Sequence, residues 1–226
     1  MSRFSPEKVL VLIPAYNEET RIGAVVSSVQ AMKFPVLVID DGSAYRTADV
    51  AREAGAQLIK LRENGGKGHA MRRGFDWFIG RGYAAVVVMD ADGQHDPQDL
   101  WAFLSVLESG ADFAIGNRMS NVQGMSLLRQ ATNRVMSSLI SRLSGIAVPD
   151  TQCGYRAITR EALRDMRLTA SHYEIESEMI FIASEMGLNV RPVPVKTIYG
   201  TEKSRIRPMK DTLRFFSYLN RRKKKK

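Results

Sequence analysis

Cysteine is nearly absent from this sequence: Cys153 stands alone among 226 residues. No disulfide can form within the chain, which predicts a reducing, cytoplasmic setting, and the lone thiol reads as packing. Histidine is scarce too, and His69, His95 and His172 lie without metal-ligand spacing. No apolar run approaches the ~20 residues that span a bilayer, and the opening MSRFSPEKVL lacks the charged-then-apolar order of a signal peptide. The chain should at most lie on a membrane. Acids are outnumbered, 24 against 33 Lys and Arg, but residues 221–226, RRKKKK, supply six of the nine net positive charges. The body is therefore only mildly basic, which weakens a nucleic-acid scaffold as the main reading. A basic tail suits anionic lipid, at ~1 kcal/mol per residue near the surface, or plain solvated disorder.

What is present fits one compact domain over 1–220 with the basic tail 221–226 appended, since 44% of residues are hydrophobic and 25% charged. KVLVLIP (8–14), PVLVID (35–40), QLIKL (57–61) and AAVVVMD (84–90) are short β-branched runs that predict strands buried on both faces. Helical patterns separate them. Ile22, Val25, Val26 and Val29 recur at helical spacing, and Asp96-Pro97 reads as a helix start running through Leu107. Strand and helix in alternation predict an α/β fold, a mainly parallel sheet covered by helices.

In such sheets the ligand lies beyond the carboxyl ends of the strands. Three of the runs end in polar clusters: Pro14-Ala15-Tyr16-Asn17-Glu18, Asp40-Asp41-Gly42-Ser43 and Asp90-Ala91-Asp92-Gly93-Gln94. Acids gathered at one edge repel one another and call for a cation. Mg2+ or Mn2+, held by one or two carboxylates plus phosphate oxygens, suits these hard oxygen ligands. Asn64-Gly65-Gly66-Lys67-Gly68 is not a Walker loop, because Leu61 stands where its first glycine belongs and Gly68 where Ser or Thr belongs. It predicts a tight loop and helix start at which Lys67 can meet phosphate. The turn after the first run has no G-x-G-x-x-G, which argues against a nicotinamide enzyme.

Taken together, IPAYNE, VIDDGS, NGGKGHA, MDADGQHDP, IGNR, DTQCGYRAITREAL, YEIESEM and YGTEKS resemble glycosyltransferase family two, and within it the polyprenyl-phosphate (dolichyl-phosphate) mannosyl- and glucosyltransferases. The resemblance implies a GT-A fold, one Rossmann-like mixed and mainly parallel sheet. It implies a nucleotide-sugar donor of the GDP-mannose or UDP-glucose type, a divalent metal, and a polyprenyl phosphate acceptor. Carried over by position, Pro14, Tyr16 and Glu18 hold base and ribose, with Ile39 and Asp41 beside them. Asp90, Ala91, Asp92 and Gln94 match the metal and diphosphate segment, Asp90, Asp92 and Gln94 being the metal residues. Arg118 matches an arginine that meets phosphate near the transferred sugar, so that Asp92 and Arg118 carry the catalysis. Ser204 and Arg205 fall where these enzymes often carry Ser-Lys in a loop over the diphosphate; Tyr199 stands where some have arginine, a gap Lys203 can fill.

The implied reaction is a single inverting displacement at the anomeric carbon. A phosphate acceptor, with a second pKa of about 6, is already mostly ionised and needs no general base. A sugar-hydroxyl acceptor needs one, and Asp150 is the candidate. A sugar nucleotidyltransferase, attacking phosphorus, shares the same sheet and acids. Glu174, Glu176 and Glu178 read first as helix-dipole partners, the resemblance raising the last two. In 125–146, Leu128, Ala131, Val135, Met136, Leu139 and Leu143 form one apolar face, with Arg129, Arg134 and Arg142 around it. Core packing is the default for this face; lipid contact is the alternative, with Arg129 then close to the acceptor. Phe215, Phe216, Tyr218 and Leu219 are a second lipid-facing candidate. The expected location is the cytoplasmic face of a membrane, in peripheral contact with anionic lipid, with room for a membrane-protein partner.

Overall fold

Three of the four β-branched runs form the centre of a seven-stranded sheet. The fourth, QLIKL, is a correction: it lies at the sheet edge with Gln57 and Lys60 exposed and Leu58 and Ile59 only half-buried, having, among the described residues, a neighbour on one side alone. The structure, a computed structural model, describes residues 2–198 and 217–219. Its strands are β1 (Val9–Ala15), β2 (Val36–Asp40), β3 (Gln57–Lys60), β4 (Ala85–Val88), β5 (Phe113–Asn117), β6 (Arg156–Thr159) and β7 (Val190–Pro194), in the spatial order β3-β2-β1-β4-β6-β5-β7. β3, β2, β1 and β4 are mutually parallel, β6 runs against both its neighbours, and β5 pairs β7 in parallel. The sheet is therefore mixed and mainly parallel.

Alternation along each strand serves two layers. Val9, Val11 and Ile13 of β1 pack on one face with α1 (Ile22–Ala31) and α4 (Leu100–Glu108), while Leu10 and Leu12 pack on the other with α3 (Lys67–Ile79) and α7 (Glu174–Glu185). α2 (Thr47–Glu53) and α6 (Arg160–Asp165) complete the two layers. Asp96 caps as its position before proline predicts: its Oδ1 accepts from Gln98 N–H at 2.9 Å, opening a 3-10 turn that leads into α4.

β6 and β7 go beyond the strands the sequence suggests. β7 contains Pro192 and Pro194, and proline breaks a strand pattern; the strand survives because it is an edge, where missing N–H donors cost little.

Two helical expectations are corrected. α5 (Leu127–Ser144) forms where predicted, but it buries Asn133, Ser137, Ile140 and Ser144; of the expected core face Met136 and Leu139 pack partly on the core, while Leu128, Val135 and Leu143 point outward. The cause is polar: Asn133 and Ser137 hydrogen-bond to Asp150 and Thr151, which fixes the rotation of the helix. At the C-terminus, Tyr218 is buried against Phe181 of α7, with Leu219 partly buried, so this pair is packed on protein rather than lipid. Phe215, Phe216 and the tail 221–226 lie outside the described residues. Among the described residues, no helix is long and apolar enough to cross a membrane.

Candidate active site

The carboxyl ends of β1, β2 and β4 are neighbours in the sheet, so their polar clusters meet at one edge. The first two loops are stitched together. Asn17 N–H donates to Ser43 Oγ at 2.8 Å, Ala44 N–H to Asn17 Oδ1 at 2.9 Å, and Glu18 N–H to Thr47 Oγ1 at 2.9 Å. Asn17 has φ +52°, a conformation asparagine tolerates better than most residues. The turn leaves Tyr16 39% exposed, with ring surface to offer a base, and keeps Glu18 buried near Arg21, 3.7 Å away. Asp41 is occupied differently from expectation. Its two oxygens accept from Gly65 N–H (3.0 Å) and Gly66 N–H (2.7 Å), pinning the glycine loop; burial raises its pKa against the pull of these amides. Gly66 has φ +94°, and a Cβ there would stand 2.1 Å from His172 Nδ1.

That loop delivers Lys67 to the first turn of α3. Its Nζ lies 2.5 Å from Asp90 Oδ1 and 2.7 Å from Glu176 Oε1, so Lys67 bridges two acids. Burial opposes the ammonium charge, yet the two carboxylates hold its pKa above the ordinary lysine value. Burial likewise opposes the Asp90 charge, and Lys67 with His95 outweighs it, holding that carboxyl below its usual range. Glu176 is therefore a site residue. The sequence offered one signal, three glutamates in alternate positions of one helix start, more than a dipole needs. Glu178, by contrast, accepts from Thr169 N–H, Thr169 Oγ1 and Ala170 N–H and serves the preceding loop. Gly154 carries no local signal of its role: a Cβ there would lie 2.5 Å from Asp90 Oδ2 and 2.7 Å from Lys67 Nζ, so its bareness makes room for the pair. Arg156, 1% exposed, braces the same corner by donating to the carbonyls of Thr151, Cys153 and Glu176.

Asp92 Oδ1 accepts from Gln94 N–H at 3.0 Å. Burial, and then the charge of Asp90, raise the Asp92 pKa, so this carboxylate gains from a nearby cation. His95 is buried, and among the described residues neither of its ring nitrogens has a hydrogen-bond partner; Nε2 is 3.4 Å from Asp90 Oδ2, and the ring packs on Tyr155. Asp90, Asp92 and Glu176 are, among the described residues, three carboxylates against the Lys67 ammonium and the buried Arg156 guanidinium, which leaves an acid in excess. Among the described residues no three His, Cys, Asp or Glu side chains converge on one metal position. The side chains that could hold a hard dication are Asp92, Asp90 and the Gln94 amide oxygen. A set of at most two carboxylates fits Mg2+ or Mn2+, which complete their shells with phosphate and water oxygens.

Arg118 and Asp150 are brought together, but with each other. Asp150 is fully buried and accepts four hydrogen bonds: Arg118 N–H (3.0 Å), Nε (2.7 Å) and Nη2 (2.9 Å), and Asn133 Nδ2 (2.7 Å). Burial penalises its charge, yet the Arg118 guanidinium holds its pKa below the normal carboxylate range. This is a correction: a saturated, enclosed carboxylate has no access to an acceptor hydroxyl. The Arg118 fork is largely spent on it as well, leaving Nη1 as the guanidinium nitrogen not used on Asp150.

Ile39 and Ala91 contribute no open side chain, since both are buried in the core layers; Pro14 lies half-buried beside them. Arg129 sits in the first turn of α5. Cys153 is completely buried and its thiol is pushed up to about 12 by that burial, which makes it inert. Lys203, Ser204 and Arg205 lie outside the described residues; the chain before them is anchored where Ile198 N–H donates to Gln94 O at 2.9 Å. A shallow depression lined by Glu7, Lys33, Phe34 and Tyr83 lies at the opposite, amino-terminal edge, away from these acids.

A mainly parallel sheet with an acid pair at the end of β4 has the architecture of a GT-A glycosyltransferase, which a nucleotidyltransferase can share. Residues 10–167 match the profile of glycosyl transferase family 2, and the chain belongs to that family. It is 32% identical to the polyprenol monophosphomannose synthase of Mycolicibacterium smegmatis, over 84% of this chain and 77% of that one. In fold it is similar to mannosyl-3-phosphoglycerate synthase from Rubrobacter xylanophilus, with TM-score 0.75 at 19% identity, covering 99% of this chain and 80% of that one. It is similar also to glucosyl-3-phosphoglycerate synthase from Mycobacterium tuberculosis in complex with Mn2+, UDP and phosphoglyceric acid, with TM-score 0.68 at 20% identity, covering 92% and 74%. Family membership sets aside the nucleotidyltransferase and the nucleic-acid scaffold in favour of a glycosyltransferase.

Proposed function

We propose that this glycosyltransferase moves a hexose, with inversion, from a nucleotide sugar to a polyprenyl phosphate at the cytoplasmic surface of a membrane. The observation that carries the reading is the acid excess at the end of β4, where Asp90, Asp92 and Glu176 outnumber Lys67 and the buried Arg156. A donor diphosphate brings further negative charge to this edge and is tolerated only with a dication. Asp92, with Asp90 and the Gln94 amide, would hold Mg2+ or Mn2+, which when bound supplies positive charge to the leaving diphosphate. The metal in the structurally similar glucosyl-3-phosphoglycerate synthase supports that assignment.

Each residue has a task that follows from its surroundings. Tyr16 offers a ring face to the base, and the stitched loops from Pro14 to Glu18 hold it in place. Asp41 keeps the glycine loop in register and so places Lys67, whose ammonium is within reach of a phosphate oxygen once it parts from one of its two acids. Arg118 keeps Nη1 for an acceptor or donor phosphate, on a fork held rigid by Asp150. Lys203, Ser204 and Arg205 follow the Gln94-bound Ile198 and are assigned to the diphosphate. The enclosure of Asp150 favours a phosphate acceptor, because that acceptor needs no base. The polyprenol monophosphomannose synthase relative supports the same choice.

The test is product analysis. The full chain with GDP-mannose or UDP-glucose, Mn2+ and a short polyprenyl phosphate should yield a β-linked lipid phosphosugar and the nucleoside diphosphate. Transfer to a sugar hydroxyl alone, or retention of the anomeric configuration, would overturn the proposal.

A further inference from the structure

The outer face of α5 has a chemistry that the active site does not use. Leu127 and Leu128 are 81% and 79% exposed, Val135 68% and Leu143 51%. At ~100° per residue, Leu128, Ala131 and Val135 follow one line along the helix that ends on Leu139, itself partly packed on the core; Arg142 joins it, and Arg134 and Arg129 flank it on opposite sides. The helix holds no Asp or Glu. Its rotation is fixed from within: Asn133 Nδ2 donates to Asp150, Ser137 Oγ meets Asn133 and Thr151, and Ser141 Oγ accepts from Val148 N–H. Leucines on so tethered a helix cannot roll inward without breaking a buried polar network.

We propose that this face is a membrane-docking surface that seats α5 in the headgroup layer of an anionic bilayer, its axis along the membrane plane. An apolar line whose only charged neighbours on the helix are arginines is complementary to lipid chains below and anionic headgroups beside them. The arginine stems are long enough to reach those headgroups while the leucines dip into the acyl boundary. A second copy of the chain is a poor occupant, since a two-fold pairing of this face sets arginine against arginine with no acid on α5 to meet them. The inner face of α5 ends, through Asn133 and Asp150, at Arg118 beside β5. Docking therefore sets the bilayer about one helix diameter, ~10 Å, from the network that holds Arg118. The purpose of this placement, though not its chemistry, rests on the reading of the acceptor as a membrane-held prenyl phosphate.

The test is sedimentation of the full chain with phosphatidylcholine vesicles, with and without phosphatidylglycerol. Leu128→Glu with Val135→Glu should weaken partitioning at least ~tenfold in low and high salt alike. Arg134→Gln with Arg142→Gln should weaken it several-fold, in low salt only. Both double variants should melt near the parent, since the side chains are exposed. Equal partitioning of the glutamate variant and the parent would overturn the proposal, as would a parent that ignores vesicles or a solution dimer that the glutamates dissociate. Transfer to a water-soluble, short-chain prenyl phosphate separates the two readings. The glutamate variant should retain the parent's rate there; if the parent transfers nothing to that acceptor yet partitions through α5, docking stands and the acceptor assignment falls.

Discussion

Two pairs of carboxylate and cation stand at the carboxyl edge of the same sheet, and they are matched differently. At β5, Asp150 and Arg118 balance in charge, and Asp150 is saturated by four donors in full enclosure. At β4, Lys67 is shared by Asp90 and Glu176, Asp92 adds a third acid, and the buried His95 ring has, among the described residues, only a 3.4 Å approach to Asp90. A saturated pair resists change because every alternative costs hydrogen bonds. An acid-rich, incompletely bonded cluster is poised to accept something from outside. The contrast makes Asp150 an architectural group that holds the Arg118 fork, with Nη1 left for phosphate, and gives the β4 cluster the acid-rich chemistry, a division that residue types alone do not reveal.

The contrast breaks most readily at Asp150. Asp150→Ala leaves the Arg118 guanidinium buried and unpaired and should cost ~3–5 kcal/mol of stability by denaturant melting. The pH dependence has a definite sign. Because the folded-state pKa of Asp150 is depressed, its contribution is fully present above the unfolded value of ~3.9 and is lost as pH falls through the folded value. Asp150→Asn should therefore lose less stability than the parent on acidification below pH ~4; parallel curves would remove the pair from the architecture. Asp92→Ala should show the opposite profile: transfer falling at least ~100-fold, with the melting temperature near or above the parent, since removing an acid from an acid-rich cluster relieves repulsion. Full activity in that variant, or in excess chelator, would end the assignment of chemistry to β4.

How much of this was legible depends on how local each cause is. β1, β2 and β4 were plain because burial on both faces demands unbroken β-branched runs, and their carboxyl ends then located Asp90 and Asp92. β7 was hidden by Pro192 and Pro194, and β6 by its four-residue length with a buried arginine at its head. For α5 the periodicity named which residues share a face, but the face that turns inward was chosen by Asp150 and Thr151, residues outside the helix. The Lys67–Glu176 contact joins positions 109 apart, and the Arg118–Asp150 pair positions 32 apart. No local pattern encodes either. The place of Asp150 before TQCGYR suggests a base, whereas Arg118, 32 positions away, takes up its carboxylate.

Gly154 offers the finest test of the β4 cluster, because there geometry and stability separate. A methyl at this position would sit 2.5 Å from Asp90 Oδ2 and 2.7 Å from Lys67 Nζ, both ends of side chains able to swing aside. The fold should absorb the change at a cost of ~1 kcal/mol, toward the low end for overpacking, since no backbone need move. The price falls instead on the spacing of Asp90 and Lys67, which must widen or tilt. Displacements of this size reduce rates by misplacing reacting groups, so Gly154→Ala should transfer about tenfold more slowly while melting within a few degrees of the parent. If the rate stays at the parent's value, the Asp90–Lys67 pair is tolerant of position and the tight cluster at β4 is packing after all; if the protein instead melts far below the parent, the room at Gly154 serves the core rather than the reaction.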